Sequence, residues 1–279
     1  MTEHLLELEN LRVSFPTRDG PAEVVSGVSL TLGRERLGIV GESGSGKSLT
    51  GRAILRLVRP PGKMSVERLV FAGQDLMALG ERGMRAIRGA RISMVMQDPK
   101  FSLNPVMTVG EQIAEALRVH GARLSRQAMR RRVVSMLEQV RINDPERVAG
   151  FYPHEVSGGM GQRIMIAMML IPEPDLLIAD EPTSALDVSV QAQVLDLIDD
   201  LIARNGMGLI LISHDLELVA RYCDRIIVMN AGRIVEECPA DRLGEATHPY
   251  TRGLIDAVPR MNETREELPV LDRSAWSGT

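Results

Sequence analysis

Gly41-Glu42-Ser43-Gly44-Ser45-Gly46-Lys47-Ser48 matches the phosphate-loop pattern G-x-x-x-x-G-K-S/T and decides the fold of this sequence. A short apolar segment at residues 37–40 precedes the match and predicts a buried strand, and residues 49–58 after it predict a helix. Glycines let successive backbone N–H groups converge on phosphate oxygens, and the start of a helix adds the positive end of its dipole. The strand, loop and helix together predict a nucleoside triphosphate site.

Two side chains of this loop are expected to handle the triphosphate and its metal ion. The Lys47 ammonium is predicted to reach the β- and γ-phosphates, and the Ser48 hydroxyl is predicted to ligate Mg²⁺. The predicted ATP-binding segment continues one residue beyond the motif, and its members are Gly41, Glu42, Ser43, Gly44, Ser45, Gly46, Lys47, Ser48 and Leu49. A flexible glycine–serine turn is the structural alternative, but the flanking strand and helix favour phosphate binding.

A second apolar segment, residues 176–179, ends in the two acidic residues Asp180 and Glu181. Asp180 is predicted to hold Mg²⁺, directly or through water, and Glu181 is predicted to orient and polarise the attacking water. A strand that merely ends in polar residues is the alternative, and the phosphate loop upstream disfavours it. The two motifs together predict a nucleoside triphosphatase without deciding its family.

Composition and charge limit the remaining function classes. Of the 279 residues, 44% are hydrophobic and 25% are charged, which is typical of a soluble globular protein with a full core. The net charge of -4 disfavours nucleic-acid binding, so we expect no nucleic-acid partner. Cys223 and Cys238 are too few for a disulfide framework or a four-thiolate metal site, and they predict a reducing compartment.

Membrane insertion and secretion are not expected either. The longest apolar run, residues 164–171, is far shorter than the roughly 20 residues that span a bilayer. The first residues lack the basic region and apolar stretch of a signal peptide. Any membrane role is therefore expected to come through a partner.

The order of apolar segments predicts an α/β fold. Short apolar runs predict buried strands of a mostly parallel sheet, at residues 92–96, 176–179 and 209–212. Residues 98–172 show helical segments without a strong strand signal, which predicts an inserted helical subdomain. We expect a nucleotide-binding core at residues 1–97 and 173–239. The helical subdomain is expected at residues 98–172, and a C-terminal extension at residues 240–279.

Residues 156–163, Val156-Ser157-Gly158-Gly159-Met160-Gly161-Gln162-Arg163, form a second candidate anion site, because a serine and two glycines open a predicted helix. The segment lies between the phosphate loop and the acidic strand, and it resembles the signature of ABC ATPases. The resemblance implies a head-to-tail dimer in which Ser157, Gly158 and Gly159 close over the ATP bound by the partner chain. A lone glycine turn is the structural alternative.

The resemblance to ABC ATPases covers about residues 5–240 and implies four further roles. Gln97 resembles the glutamine that senses Mg²⁺ and links it to the helical subdomain. Asp187 ends a segment resembling the loop that crosses the dimer interface, and His214 resembles the switch histidine that contacts the γ-phosphate. Phe15 resembles the aromatic residue that stacks on adenine, where the family more often has tyrosine. The alternatives are a core position for Phe15, a surface position for Gln97 and a structural role for His214.

Four more segments resemble the peptide and nickel importer subfamily, namely Gln97-Asp98-Pro99, Ser102-Leu103-Asn104-Pro105, Tyr152-Pro153-His154-Glu155 and His248-Pro249-Tyr250-Thr251. Gly161 departs from the subfamily, which usually has arginine there. The resemblance implies an ATPase subunit, with an N-terminal antiparallel β portion, that powers import of dipeptides or oligopeptides across the bacterial inner membrane. A nickel or metal-chelate importer and the ABC-like subunit of a phosphonate-degrading complex are the alternatives.

The same resemblance implies the assembly in which the chain works. Its ATPase partner would be a homologous but different ABC subunit, and the pair would act on two integral membrane permease subunits. A periplasmic or lipid-anchored solute-binding protein would take part indirectly. The implied location is peripheral, on the cytoplasmic face of the bacterial inner membrane.

Overall fold

The apolar residues near the N-terminus form a long antiparallel pair of strands. In this computed structural model, which describes residues 4–96, 103–184 and 186–257, strand β1 (Leu6–Thr17) pairs with β2 (Gly20–Leu32). Leu8 and Leu11 are three positions apart, which would place them on opposite faces of a regular strand. The pairing register shifts between them, and Leu11 and Val13 are therefore buried together with Leu8. One face of the pair therefore remains buried from Leu6 to Val13 of β1.

The described residues form two compact units. The first contains the described residues up to Met77 and those from Ile210 onward, and the second is Ala78–Leu209. In the first unit, β3 (Arg36–Val40) and helix α1 (Lys47–Ile54) flank the phosphate loop as predicted. Helix α1 ends earlier than predicted, because Arg56 adopts a positive φ of 53° that breaks the helical backbone.

Three short strands complete the antiparallel sheet of the first unit. Strand β1 also pairs with two of them, β4 (Lys63–Ser65) and β5 (Arg68–Phe71), and β5 pairs with β6 (Gln74–Asp75). None of the three was predicted, because runs of two to four residues are too short to show a period.

The second unit combines a parallel strand pair with helices. Its elements are α2 (Glu81–Ile87), β7 (Ile92–Val95), α3 (Val109–Val119), α4 (Arg126–Gln139), α5 (Pro145–Val148), a 3₁₀ turn (Pro153–Glu155), α6 (Gly158–Leu170), β8 (Leu176–Asp180) and α7 (Val188–Asn205). Strands β7 and β8 are parallel, with Val95 opposite Ala179. All residues of β8 are buried, as expected of a strand in a parallel sheet.

Polar caps begin the four longest described helices of this unit. Thr108, Ser125, Ser157 and Asp187 each accept a hydrogen bond from a backbone N–H in the first turn of α3, α4, α6 and α7 respectively. Glu111 completes a capping box with Thr108. These caps fix the residue at which each helix begins.

The chain ends in the first unit. Its elements there are β9 (Gly208–Ser213), which begins at the boundary of the second unit, α8 (Leu216–Tyr222), β10 (Arg225–Asn230), β11 (Arg233–Pro239), a 3₁₀ turn (Ala240–Glu245) and α9 (Pro249–Ala257). The strand order in this unit is β11-β10-β3-β9, and β10 is parallel to β3 and antiparallel to β11. The predicted α/β class and its N-terminal antiparallel portion are confirmed. None of the described helices is long and apolar enough to cross a membrane.

Strand β3, which leads into the phosphate loop, packs closely against α8. A Cβ atom at Gly38 would lie 1.9 Å from Cγ1 of Val219 and 3.3 Å from Sγ of Cys223. Val219 is fully buried, so its side chain has little room to move. The strand can approach the helix this closely because residue 38 has no side chain.

We expect Gly38→Ala to lower the free energy of unfolding by about 1–3 kcal/mol, because the added methyl group overpacks the contact with Val219. The matched control is Gly33→Ala, where an added Cβ would meet no atom within 4 Å. Urea unfolding of both variants and of the wild type measures the two changes. Equal stabilities for the two variants would contradict the close approach of β3 to α8.

A candidate nucleotide site

The phosphate loop adopts the backbone geometry that requires glycine. Gly41, Gly44 and Gly46 have φ angles of 149°, 85° and 96°, which residues with a side chain rarely adopt. A Cβ atom at Gly41 would lie 2.1 Å from the carbonyl oxygen of Met229, and one at Gly46 would lie 2.9 Å from that of Val24. Both conformation and crowding therefore exclude other residues at these two positions.

Lys47 is held inside the loop by the loop itself. Its Nζ donates to the carbonyl oxygens of Gly41 and Glu42 at 2.7 and 2.8 Å, and to Oγ of Ser45 at 3.3 Å. The residue is only 5% exposed, so these hydrogen bonds compensate for the loss of water around the ammonium. A fixed positive charge in a glycine loop at a helix start suits a polyphosphate, so the residues present fit ATP.

The other predicted residues of the first unit lie on α1, directly after β9 and on β1. Ser48 and Leu49 are half-buried in the first turn of α1. His214 is exposed directly after β9, the strand beside β3. Phe15 is half-buried on β1, and its ring is so close to Gly62 that a Cβ there would lie 2.7 Å from Cε1 of the ring. The stacking of Phe15 on adenine stays a prediction.

Strand β8 presents the two predicted acidic residues in the second unit. Asp180 is the last residue of β8 and is 4% exposed. Glu181 follows it with a φ of 47°, in the left-handed region that costs an L-residue about 1–2 kcal/mol. Backbone strain of this kind persists only where neighbouring groups hold it, and it is common at functional sites.

Two neighbouring residues hold this strained turn. Ser184 donates its hydroxyl and its backbone N–H to the carbonyl oxygen of Glu181, at 3.2 and 3.4 Å. Gln162, a buried residue of α6, donates its side-chain amide to the carbonyl oxygen of Pro182. The sequence analysis places Gln162 in the signature segment but does not predict this contact. An amide among the apolar residues of a helix was the available signal, because a buried amide needs a partner.

The predicted dimer-contact residues lie at the starts of two helices of the second unit. Ser157 and Gly158 are exposed at the start of α6, and Gly159 is half-buried, with Cγ1 of Val190 3.2 Å from a Cβ atom placed there. Asp187 is exposed and caps α7. Gln97, predicted to be catalytic, to contact ATP and to ligate Mg²⁺, lies outside the described residues.

One further contact of the loop was not predicted. The N–H of Glu42 donates to Oη of Tyr250, on α9 in the predicted C-terminal extension, at 3.0 Å. The sequence offers no periodic signal for such a contact, because 208 positions separate the two residues. The extension therefore contributes a side chain to the phosphate loop.

Strand, glycine loop, buried lysine and helix define a nucleoside triphosphate-binding protein of the phosphate-loop class. The ABC transporter family matches residues 25–184, which is more than half of the chain, and the chain belongs to this family. It is an ATPase that uses ATP with Mg²⁺, and the predicted ABC identity is confirmed.

Three comparisons describe its similarity to known proteins. The chain is 48% identical to the dipeptide transport ATP-binding protein DppD of Bacillus subtilis, over 97% of this chain and 81% of the relative. It is 47% identical to the oligopeptide transport ATP-binding protein OppD of the same organism, over 94% of this chain and 74% of the relative. Its fold matches a dimeric ATP-binding cassette, MJ0796, in a post-hydrolysis state bound to ADP and phosphate, with a TM-score of 0.74 and 27% identity, over 84% of this chain and 98% of the cassette.

The strain at Glu181 predicts an unusual order of stabilities. We expect Glu181→Gly to be more stable than Glu181→Ala by about 1 kcal/mol, because glycine adopts a positive φ without a Cβ clash. At Glu115, an exposed residue in the middle of α3, we expect the opposite order: Glu115→Gly should be about 1 kcal/mol less stable than Glu115→Ala. Urea unfolding of the four variants measures both differences. The same order at both positions would contradict the left-handed conformation of Glu181.

Proposed function

We propose that this chain is the ATP-hydrolysing subunit of an importer that carries dipeptides or oligopeptides across the bacterial inner membrane. The observation that carries the ATPase part is the Lys47 ammonium, buried on the carbonyl oxygens of the loop. The solute class is supported by the relatives, which share nearly the whole length of this chain and are named as dipeptide and oligopeptide transport proteins. These names favour peptides over nickel, metal chelates and phosphonates.

Charge stabilisation is the main task of the residues around the phosphates. Bound ATP would supply the phosphoanhydride bond that is cleaved, and Mg²⁺ would supply positive charge beside the phosphates. Lys47 and His214 stabilise negative charge on the γ-phosphate. Ser48, Gln97 and Asp180 would hold the metal ion.

Glu181 is the general base in this proposal. Its backbone strain and the hydrogen bonds that hold the turn support a fixed orientation for the carboxylate, which must face the attacking water. Phe15 binds the adenine ring. The half-buried ring of Phe15 leaves part of its surface for such a contact.

A second ABC subunit, homologous to this chain but different from it, completes each site. Ser157 and Gly158 are exposed at the start of a 13-residue helix, where an anion from another molecule is favoured, and Asp187 is exposed at the start of α7. The similar cassette MJ0796 is dimeric by its description. In the proposed pair, the serine and glycines of each chain close over the nucleotide of the other.

The proposed assembly also contains two integral membrane permease subunits and, indirectly, a periplasmic or lipid-anchored solute-binding protein. This chain would bind peripherally at the cytoplasmic face of the inner membrane. We propose that residues 1–97 and 173–239 form the nucleotide-binding core. Residues 98–172 form the helical subdomain, and residues 240–279 form the C-terminal extension.

We expect Glu181→Gln to keep ATP affinity but to slow hydrolysis by a factor on the order of 10² to 10⁴, because the isosteric amide cannot accept a proton from water. Without hydrolysis, the subunit pair should accumulate in its closed, ATP-loaded form. Phosphate release by the assembled transporter and ATP binding to the purified subunit measure the two properties. Glu138→Gln, an exposed change on α4, is the matched control. Wild-type turnover in the Glu181 variant would rule out the assignment.

A further inference from the structure

Tyr250 connects the C-terminal extension to the phosphate loop. It lies in the first turn of α9, is 2% exposed, and accepts the N–H of Glu42 at Oη. We propose that Tyr250 is a positioning residue for nucleotide binding, because its hydroxyl fixes the orientation of the Gly41–Glu42 peptide that holds Lys47. This inference rests on the proposed ATPase function and adds a residue outside the known motifs of the site.

The Gly41–Glu42 peptide is held at both of its polar ends. Its carbonyl oxygen accepts from Nζ of Lys47 at 2.7 Å, and its N–H donates to Oη of Tyr250 at 3.0 Å. A peptide group is planar, so rotating this one moves both ends together and breaks both hydrogen bonds. The contact with Tyr250 therefore opposes any rotation that would turn the carbonyl away from Lys47.

Gly41 makes such a restraint necessary. It has a φ of 149°, and glycine tolerates wide changes in its backbone angles. A larger residue would limit rotation by its own Cβ, but the carbonyl oxygen of Met229 leaves no room for one. Hydrogen bonds must then supply the rigidity that glycine lacks, and Tyr250 supplies one from outside the loop.

Tyr250 is itself fixed to strand β11. The Glu236 carboxylate accepts from the backbone N–H of Thr247 at 2.7 Å and from that of His248 at 3.3 Å, and Nδ1 of His248 accepts from the N–H of Tyr250 at 3.2 Å. Burial disfavours the charged form of Glu236, but hydrogen bonds from Thr247 and His248 outweigh it and lower its pKa. The carboxylate is thus ionised at neutral pH and anchors the start of α9.

The test compares Tyr250→Phe with wild type and with the matched variant Tyr222→Phe, in the full-length chain. Tyr250→Phe keeps the ring that fills the buried space and removes only the hydroxyl. We expect its Kd for ATP to rise about threefold to tenfold, the effect of one lost hydrogen bond. The Kd of Tyr222→Phe should remain that of wild type. Equilibrium titration with ATP measures all three.

A second comparison separates positioning from general destabilisation. If Tyr250 acts by orienting the peptide that holds Lys47, Tyr250→Phe should have little effect on the Kd for ATP in a Lys47→Met background. The two substitutions then disrupt the same interaction, so their effects do not add. A purely structural role would instead lower the melting temperature and weaken ATP binding equally in both backgrounds. An unchanged Kd in Tyr250→Phe, or equal losses in both backgrounds, overturns the proposal. Failure of the wild-type chain to bind ATP would instead overturn the proposed function.

Discussion

Close contact between backbone segments around the phosphate loop is the constraint on which the first unit depends. The carbonyl oxygen of Met229 on β10 lies beside Gly41, and that of Val24 on β2 lies beside Gly46. The N–H of Gly232, in the turn after β10, donates to the carbonyl oxygen of Ser45. Strands from two different sheets therefore lie directly beside the phosphate loop. Strands β2 and β10 therefore both restrict the conformation of the phosphate loop.

Helix α6 plays a comparable role in the second unit. It begins at the capping serine Ser157, and Gln162 one turn later supports the carbonyl oxygen of Pro182, next to the strained Glu181. Arg163, the following residue, donates to the carbonyl oxygen of Arg141 and to the side chain of Gln193. A shift of α6 would therefore disturb the exposed helix start and the strained turn at Glu181 together. Helix α6 therefore connects the exposed residues at its start to the backbone of the turn that follows β8.

Local patterns account for what the sequence predicts well. The glycines and lysine of the phosphate loop, the apolar strand before Asp180, and the periodicity of α3 are each visible within a few residues. The positive φ of Glu181 is not visible in this way, because it opposes the local preference of the residue and is held by hydrogen bonds from Ser184 and Gln162. The contact between Tyr250 and Glu42 joins distant parts of the chain and leaves no periodic signal. The roles proposed for the site residues remain predictions.

The surroundings of the two thiols have a practical consequence for labelling. Cys223 is 8% exposed, and its sulfur lies close to Gly38 of β3, so a bulky adduct would meet the strand that feeds the phosphate loop. Cys238 is half-buried, and burial together with the nearby carboxylates of Glu236 and Glu237 raises its pKa, which keeps the fraction of reactive thiolate low. Both native thiols are therefore poor nucleophiles in the folded chain. A cysteine introduced on an exposed helix would react first with a maleimide, so fluorescent or spin probes can be attached without removing the native pair.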